Sequence, residues 1–323
     1  MRKRSFIVIL FTLQITFTEA QSFFSPTAWR TLRREVGISF GASNFLGDLG
    51  GRDAIGTNFL RDWEFSMIRF SSQVYHSYYL NQSTTIKTNF SYAWIQGDDK
   101  LTKETFRSNR NLNFKSNVYE FSTAIQWLFL KEKMGNKYGL RNIRHRKIGV
   151  RANSIGMYLT AGIGVMYFNP KGNFQGRWVE LHRLHTEGQG LPGGPRQYKR
   201  VGVSIPLGIG FRKSLSRQSG LYLEFTQHYT FTDYLDDVSS SYYDNAAISQ
   251  NFGTTAAAMA DPNLGQIVDV NGYSYVSAPG EQRGDIDDKD NFMMLTLGYY
   301  YKIRTSNTPY GRGSRKRRVK SLL

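Results

Sequence analysis

The stretch Phe292–Ile303, FMMLTLGYYYKI, alternates between two kinds of side chain. Its odd-numbered positions, from Met293 to Ile303, are all apolar or aromatic. The even-numbered positions between Leu295 and Ile303 are small or carry a polar tip: Thr296, Gly298, Tyr300 and Lys302. A period of two is typical of a β-strand with one apolar and one polar face, whereas a helix repeats every 3.6 residues. The stretch therefore predicts a strand close to the C-terminus.

Seven further segments alternate in a similar way, although Trp63–Tyr75 does so less regularly. They are Arg34–Asn44, Trp63–Tyr75, Thr84–Gln96, Val118–Leu130, Ile155–Phe168, Val201–Arg212 and Gly220–Thr232. An even number of strands of about ten residues suits a tilted barrel that crosses a membrane. The sheet must close because an open edge in lipid leaves backbone groups unpaired. The sequence thus predicts an all-β fold: an eight-stranded antiparallel transmembrane outer-membrane β-barrel with long extracellular loops.

Pro206 lies in the middle of the predicted strand Val201–Arg212. Its ring nitrogen carries no hydrogen and cannot donate to a strand ladder. The sequence therefore predicts a local bulge at this position.

The polar faces of these strands carry ionisable groups. A barrel of eight strands has an interior that side chains fill, so we expect a packed network in the lumen, formed by Glu120, Arg212, Glu224 and His228. A proton relay through these groups is the alternative. The main rival fold is a soluble lipocalin-like barrel, which places its apolar face inside. The apolar rows end in Trp, Tyr and Phe, as at a membrane interface, which favours the barrel in lipid.

The N-terminus has the features of a secretory signal peptide. Arg2, Lys3 and Arg4 are positive, the apolar stretch Ser5–Phe17 is too short to span a bilayer, and Thr18-Glu19-Ala20 offers small residues before a cut after Ala20. A buried first strand is the alternative. The predicted organisation is a signal peptide at 1–20, an N-terminal periplasmic segment at 21–33, the barrel at 34–303 and a basic periplasmic C-terminal tail at 304–323.

The chain is strongly basic, with 42 Lys and Arg against 25 Asp and Glu and a net charge of +17. Nucleic acid is the first partner that such a charge indicates, but export through a signal peptide argues against it. The chain has no Cys, which excludes a disulfide framework, a thiol nucleophile and a Cys-based metal site.

The loops give the barrel an orientation, because outer-membrane barrels have long external loops and short periplasmic turns. The predicted external loops are Phe45–Asp62, Gly97–Asn117, Asn169–Arg200 and Asp233–Asp290. The long basic connection Lys131–Ser154 and the tail then lie on the periplasmic side. We expect a partner to bind their basic residues: Arg141, Arg144, Arg146, Lys147, Arg315, Lys316, Arg317 and Arg318. A solvated run of charge is the alternative.

Two loop segments contain residues that could carry chemistry. His182, His185 and Glu187 could hold a metal ion, but they lie in a Gly- and Pro-rich loop rather than on a helix. Asp233, Asp236 and Asp237 offer oxygen ligands without the spacing of an EF-hand. No GxSxG or HExxH motif occurs. The sequence thus predicts no catalytic residue, metal or cofactor, and these His and Asp residues are the candidates for the alternative of a rim-site barrel enzyme.

Five segments together resemble a known family. They are GASNFLGDLGG (41–51), RNLNFKSNVYE (110–120), GIGVMYFNPKG (162–172), WVELHRLHTEGQG (178–190) and FTDYLDDVSSSYYD (231–244). In this order they are similar to segments of the PorG-type, DUF6089-like outer-membrane proteins of the Bacteroidetes type IX secretion system. The resemblance covers roughly residues 34–303.

The resemblance implies a non-enzymatic component of a secretion machine in the outer membrane. Its partners would be outer-membrane lipid and the periplasmic ring of PorK- and PorN-type proteins, and its role would be in protein export and gliding motility. The family has several paralogues, some of which are not tied to secretion. A ligand-binding or adhesin-type surface barrel, acting through its extracellular loops, is the other class that the residues leave open.

Overall fold

Eight long antiparallel strands form the body of the protein in a computed structural model. The structure describes residues 28–49, 67–102, 105–131, 155–216, 218–265, 267–268, 274–275, 277–286 and 288–304. The long strands are β1 (Arg34–Leu46), β2 (Arg69–Tyr79), β3 (Thr84–Asp98), β4 (Asn113–Leu130), β5 (Ile155–Tyr167), β8 (Val201–Ser214), β9 (Ser219–Thr230) and β12 (Asn291–Ile303).

The shorter elements lie mostly in the connections between these strands. The short strands are β6 (Pro170–Phe174), β7 (Arg177–Glu180), β10 (Ile267–Val268) and β11 (Ser274–Tyr275). The α-helices are α1 (Thr105–Arg110), α2 (Asn245–Phe252) and α3 (Thr254–Ala260), and 3-10 turns cover Ala28–Thr31, Asp99–Leu101 and Leu181–Arg183. Among the described residues, none of the helices is long and apolar enough to cross a membrane.

The long strands close into a barrel. Neighbours pair in the order β1, β2, β3, β4, β5, β8, β9 and β12. β12 then pairs antiparallel with β1, so that Phe40 lies opposite Leu297. Closure satisfies the backbone groups of both terminal strands without a free edge. The predicted eight-stranded antiparallel barrel is confirmed.

The barrel is apolar outside and polar inside. Along β12, Leu297 is 59% exposed and Tyr299 is 43% exposed, whereas Thr296 and Tyr300 are each 1% exposed. The same contrast recurs around the barrel, with exposed outward residues that include Phe90, Phe121, Ile125, Ile163, Val203 and Leu223. An apolar exterior with a polar interior fits a barrel that spans a bilayer, and it is the reverse of a lipocalin-like barrel.

The lipid-facing row of β12 is shorter than its sequence predicts. Met293 is 2% exposed, so this odd-numbered residue is covered by protein rather than by lipid. The row of exposed side chains begins at Leu297. The reason is that the first residues of β12 lie under the loops at one end of the barrel, where both faces of the strand are covered.

Two strands have bounds that differ clearly from the predicted ones. The second strand runs from Arg69 to Tyr79 rather than from Trp63 to Tyr75. The segment HSYY, which lies beyond the predicted end of this strand, continues the alternation, because Tyr75, Ser77 and Tyr79 are buried and the residues between them are exposed. The fourth strand begins at Asn113, five residues before Val118. Its first outward residues are polar because they lie beyond the band of apolar side chains on the outside of the barrel, which we call the apolar belt.

Pro206 does not produce the predicted bulge. It pairs with His228 in an uninterrupted β8–β9 ladder. On the other side, the β5–β8 pairing breaks after Ala161–Leu207 and resumes in the same register at Gly164–Ser204. The proline therefore costs β8 some ladder bonds without adding an extra residue.

Candidate functional site

The described residues at the long-loop end of the barrel form an outer cap, which comprises 47–49, 99–102, 105–112, 168–200, 231–265, 277–286 and 288–290. One apolar core lies between this cap and the strand ends next to it. It takes residues from all five segments that resemble the PorG-type proteins: Phe45, Leu49, Leu112, Phe114, Met166, Phe168, Leu181, Leu235 and Val238. Segments that are far apart in the sequence thus serve a single structure.

Glu187 is a buried residue of the outer cap that accepts several hydrogen bonds. Its Oε1 accepts hydrogen bonds from Arg283 Nη1 at 2.9 Å and from the backbone N–H of Ser239 at 2.9 Å. Its Oε2 accepts from the hydroxyl of Ser240 at 2.8 Å. Glu187 is 1% exposed and Arg283 2%. A buried ion pair of this kind needs such additional hydrogen bonds to offset the loss of hydration.

Asp237 joins the same network from the other side. Its carboxylate accepts hydrogen bonds from the hydroxyls of Thr186 at 2.5 Å and Tyr198 at 2.6 Å, and its backbone carbonyl accepts from Arg283 at 2.7 Å. Burial raises the pKa of Asp237 to about 6, although Arg283 and the two hydroxyls oppose that shift. The segments TEGQG and DYLDDVS therefore meet through their acidic side chains.

A second buried ion pair holds loops of the cap together. Arg110 Nε lies 2.8 Å from Asp99 Oδ2, and Arg110 also donates to the backbone carbonyls of Asp48 and Arg283. Burial raises the pKa of Asp99, against the effect of Arg110. Arg110 thus connects three loops that the sequence separates widely.

Further carboxyl groups crowd together beneath these pairs. Burial raises the pKa of Asp48 to about 6 and that of Asp233 to about 7, and burial with mutual repulsion also raises the pKa of Asp236 and Asp290. Several of them accept backbone N–H groups, such as that of Leu235 on Asp290 at 2.8 Å. Within the part of the chain that the structure describes, no three His, Cys, Asp or Glu residues are placed to hold a metal ion.

The residues predicted as chemical candidates make structural contacts. A ring nitrogen of His182 lies 3.0 Å from the carbonyl oxygen of Tyr198, and one of His185 lies 2.7 Å from that of Gln189. Burial lowers the pKa of His182. His185 also stacks on Phe252, with ring centroids 4.2 Å apart. Because Glu187 faces Arg283, the structure does not bring these three residues together as a ligand set.

The predicted lumen residues are buried: Glu120 and His228 contact each other, whereas Arg212 and Glu224 form ion pairs with partners that the prediction missed. His228 Nδ1 lies 2.8 Å from Glu120, Arg212 lies 2.7 Å from Glu35, and Lys87 lies 2.6 Å from Glu224. Glu35 and Lys87 occupy inward positions of β1 and β3. Reading the inward rows of all eight strands together would have found both.

Further hydrogen bonds surround these pairs in the lumen. Glu35 accepts from the hydroxyls of Tyr75 and Tyr79, each at 2.8 Å. Glu224 accepts from the hydroxyl of Tyr158 at 2.6 Å. The ammonium group of Lys87 also lies 4.7 Å from the ring centre of Tyr75, within cation–π range. The charged groups of the lumen are thus 1–5% exposed and packed against one another.

The residues predicted to bind a partner lie outside the described residues. This applies to Arg141, Arg144, Arg146 and Lys147 of the basic connection and to Arg315, Lys316, Arg317 and Arg318 of the tail. The predicted signal peptide at 1–20 lies outside them as well.

Comparison with known proteins gives one family match and several structural ones. Residues 3–141 match a family described as a domain of unknown function, DUF6089. This range includes the first two of the five resembling segments. No curated protein matches the chain.

The structural matches have low sequence identity to this chain. Neisserial surface protein A is 8% identical with a TM-score of 0.37, over 84% of this chain and 97% of that chain. Ail of Yersinia pestis, in complex with the heparin analogue sucrose octasulfate, is 8% identical with a TM-score of 0.35, over 84% and 98%. A major outer membrane protein of Thermus thermophilus is 11% identical with a TM-score of 0.31, over 84% and 99%.

Proposed function

We propose that this barrel is a non-enzymatic outer-membrane component of the type IX protein secretion system, which anchors or docks the periplasmic PorK- and PorN-type ring. The observation that carries the proposal is the single core beneath the outer cap, to which all five PorG-like segments contribute. If the five segments build one structure, a single physical cause explains why the resemblance is found in all of them. The role in export, and in gliding motility, follows from the resemblance.

The filled lumen supports a binding role over a transport role. Its ion pairs Lys87–Glu224 and Arg212–Glu35 and the hydrogen bond between His228 and Glu120 are almost fully buried, and an eight-stranded barrel is too narrow to leave an open channel beside such side chains. The apolar outer face fixes the barrel in lipid. A rigid, filled barrel is suited to serve as an anchor.

The periplasmic contact is proposed to use the basic connection between β4 and β5. Replacing Arg141, Arg144, Arg146 and Lys147 together with Gln should reduce the amount of ring protein that co-purifies with the tagged barrel. The physical reason is that each charge adds attraction to an acidic partner surface and speeds association. Barrel assembly should be unchanged.

A matched control removes four positive charges from the opposite end of the barrel. Arg177, Arg183, Arg196 and Lys199 are exposed residues of the β5–β8 connection. Their replacement with Gln lowers the net charge by the same amount and should leave co-purification intact. Equal recovery of the ring with both quadruple variants would count against the basic connection as the contact.

A further inference from the structure

A polar cleft lies on the outer wall of the barrel, where the β6–β7 hairpin folds beside the ends of β3 and β4. Its larger part is a cavity of about 460 Å³, whose lining is dominated by amide and charged side chains, among them Gln96, Asp98, Lys100, Asn113 and Asn173, together with Trp178. Trp178 is 37% exposed. The cleft therefore combines one flat aromatic surface with many hydrogen-bonding groups.

The smaller part of the cleft is cationic. It is a cavity of about 200 Å³ lined by Lys115, Lys171, Asn117, Asn169 and again Trp178. The ammonium group of Lys115 lies 3.9 Å from the ring centre of Trp178. None of the described residues that line this cavity is acidic. The acidic neighbour of Lys171 is Glu180, whose Oε1 lies 3.8 Å from Lys171 Nζ. Two ammonium groups that face one small cavity favour an anionic group between them.

The hairpin that carries Trp178 is fixed in place. Its two-residue turn has Gln175 and Gly176 at φ of 50° and 81°, as in a type I′ turn. Asn173 Oδ1 accepts from the N–H of Gly176 at 2.9 Å, and Asn113 Oδ1 accepts from the N–H of Asn173 at 2.7 Å. The second bond ties the hairpin to β4. The cleft is thus preformed, which lowers the entropy cost of binding.

The position of the cleft indicates where its ligand comes from. The outward row of β4 is apolar at Phe121 and Tyr119 and then becomes polar at Asn117, Lys115 and Asn113. The outward row of β3 changes in the same way after Trp94. Aromatic residues mark the level of lipid headgroups on such barrels. The cleft therefore begins where the outer leaflet ends, and it faces sideways along the membrane.

We propose that this cleft binds the anionic saccharide headgroup of an outer-leaflet glycolipid. Trp178 would stack on the C–H face of a sugar ring, and the amides of Asn113 and Asn173 would bond its hydroxyls. Lys115 and Lys171 would hold a phosphate or carboxylate on the sugar through charge-assisted hydrogen bonds. The proposal is independent of the secretion role, because it concerns the outer end of the barrel and its lipid.

The test is binding to the purified full chain in nanodiscs. Rough-type lipopolysaccharide with phosphorylated sugars should slow hydrogen exchange in Pro170–Glu180 and at the start of β4. Nanodiscs with phosphatidylglycerol supply anionic charge without sugar and should not do so. The delipidated, phosphorylated core oligosaccharide should protect the same residues more weakly, because it is not concentrated at the membrane.

Two variants sharpen the test. Lys115→Gln with Lys171→Gln should weaken binding of the lipopolysaccharide about tenfold or more, since charge-assisted bonds to the anion are lost. Arg177→Gln removes a positive charge from the same hairpin without lining either cavity, and it should bind as the wild type does. All these side chains lie on the outer wall, so folding should survive.

Three outcomes would overturn the proposal. If lipopolysaccharide does not slow hydrogen exchange in the wild-type protein, the cleft is not a binding site for it. Equal protection by phosphatidylglycerol, or equal weakening by Arg177→Gln, would reduce it to non-specific charge attraction. Binding of the free oligosaccharide as tightly as the lipopolysaccharide would contradict a membrane source for the ligand.

Discussion

At the scale of single residues, the outer cap depends on a few buried charges. Glu187 and Arg283 lie 96 positions apart in the sequence and form an ion pair at 2.9 Å that is almost fully buried. Neither residue could be predicted as half of this pair, since the chain has 25 acidic and 42 basic residues and no local pattern connects these two. Long-range contacts of this kind are set by the folded loops.

Glu187→Gln should destabilise the outer cap by about 3–5 kcal/mol, because it leaves the guanidinium of Arg283 buried opposite a neutral group. Hydrogen exchange at Ser239 and Ser240, whose N–H groups bond to Glu187, should become about a hundredfold faster or more. Exchange in the barrel strands should stay unchanged.

Glu180→Gln is the control for this variant. Glu180 pairs with Arg183 at 3.1 Å, with the Glu180 side chain 29% and the Arg183 side chain 76% exposed, and pairs open to solvent contribute only about 0–1 kcal/mol. Its effect on exchange in the cap should therefore be small. Equal exchange at Ser239 in Glu187→Gln and in the wild type would contradict the central place of Glu187.

The stability of the outer cap should fall as the pH rises from about 4 to 7. The pKa of Asp233 is raised to about 7 and that of Asp48 to about 6, whereas an unfolded Asp has a pKa near 3.9. The folded cap therefore binds more protons than the unfolded cap in this range, and stability decreases with pH. Asp236 and Asp290 shift in the same direction, and Lys289 opposes the shift of Asp233.

The measurement is hydrogen exchange of residues 233–240 at pH 5 and pH 8, corrected for the intrinsic exchange rate. Protection should be greater at pH 5. Asp233→Asn should reduce the difference in protection between the two pH values, because it removes the carboxyl group whose pKa is raised to about 7. Greater protection at pH 8 would show that these carboxyl groups are stabilised by charge rather than by protonation.

At the scale of elements, the alternation of residues allowed the strands to be predicted, but it left their ends uncertain. Within the apolar belt the two faces differ sharply, as in β12 from Leu297 to Ile303. Beyond the belt the outward residues are polar or covered by loops, so the contrast fades. This explains the late start predicted for β4 and the shifted bounds of β2. The β6–β7 hairpin was missed because its two strands are short.

Gly41→Ala should impair closure of the barrel. Gly41 of β1 lies opposite Thr296 of β12, and a Cβ there would lie 2.0 Å from the carbonyl oxygen of Leu295 and 2.7 Å from the Cα of Thr296. These are backbone atoms of the closing strand, and they cannot shift without disturbing the β1–β12 pairing. Overpacking of this kind costs about 1–3 kcal/mol. The fraction of folded barrel, read as the fast-migrating band on unheated gels, should fall.

Gly202→Ala in β8 is the matched control. The atom nearest to its added Cβ is the terminal methyl group of Met166 at 3.2 Å, and a methionine side chain can adjust. The folded fraction should therefore stay close to that of the wild type. If Gly41→Ala folds equally well, the tight β1–β12 seam is not a requirement for closure.

At the scale of the whole molecule, the sequence predicted the barrel, its direction of burial and most of its charged lumen. It did not predict the outer cap, because the cap is made by loops whose segments have no periodicity of their own. The resemblance nevertheless marked these loops, since its five segments supply much of the core beneath the cap. A filled barrel, an apolar belt and a cap held by buried ion pairs together suit the anchoring role that we propose.

The most direct measurement of the secretion role is export in a strain that lacks the gene. Secretion systems of this type export proteins with a C-terminal sorting domain. These proteins would be quantified in the medium and in the cells, with the wild-type gene returned on a plasmid as the control. The proposed role predicts that these proteins stay in the cells of the deletion strain and return to the medium on complementation. Normal export in the deletion strain would contradict it.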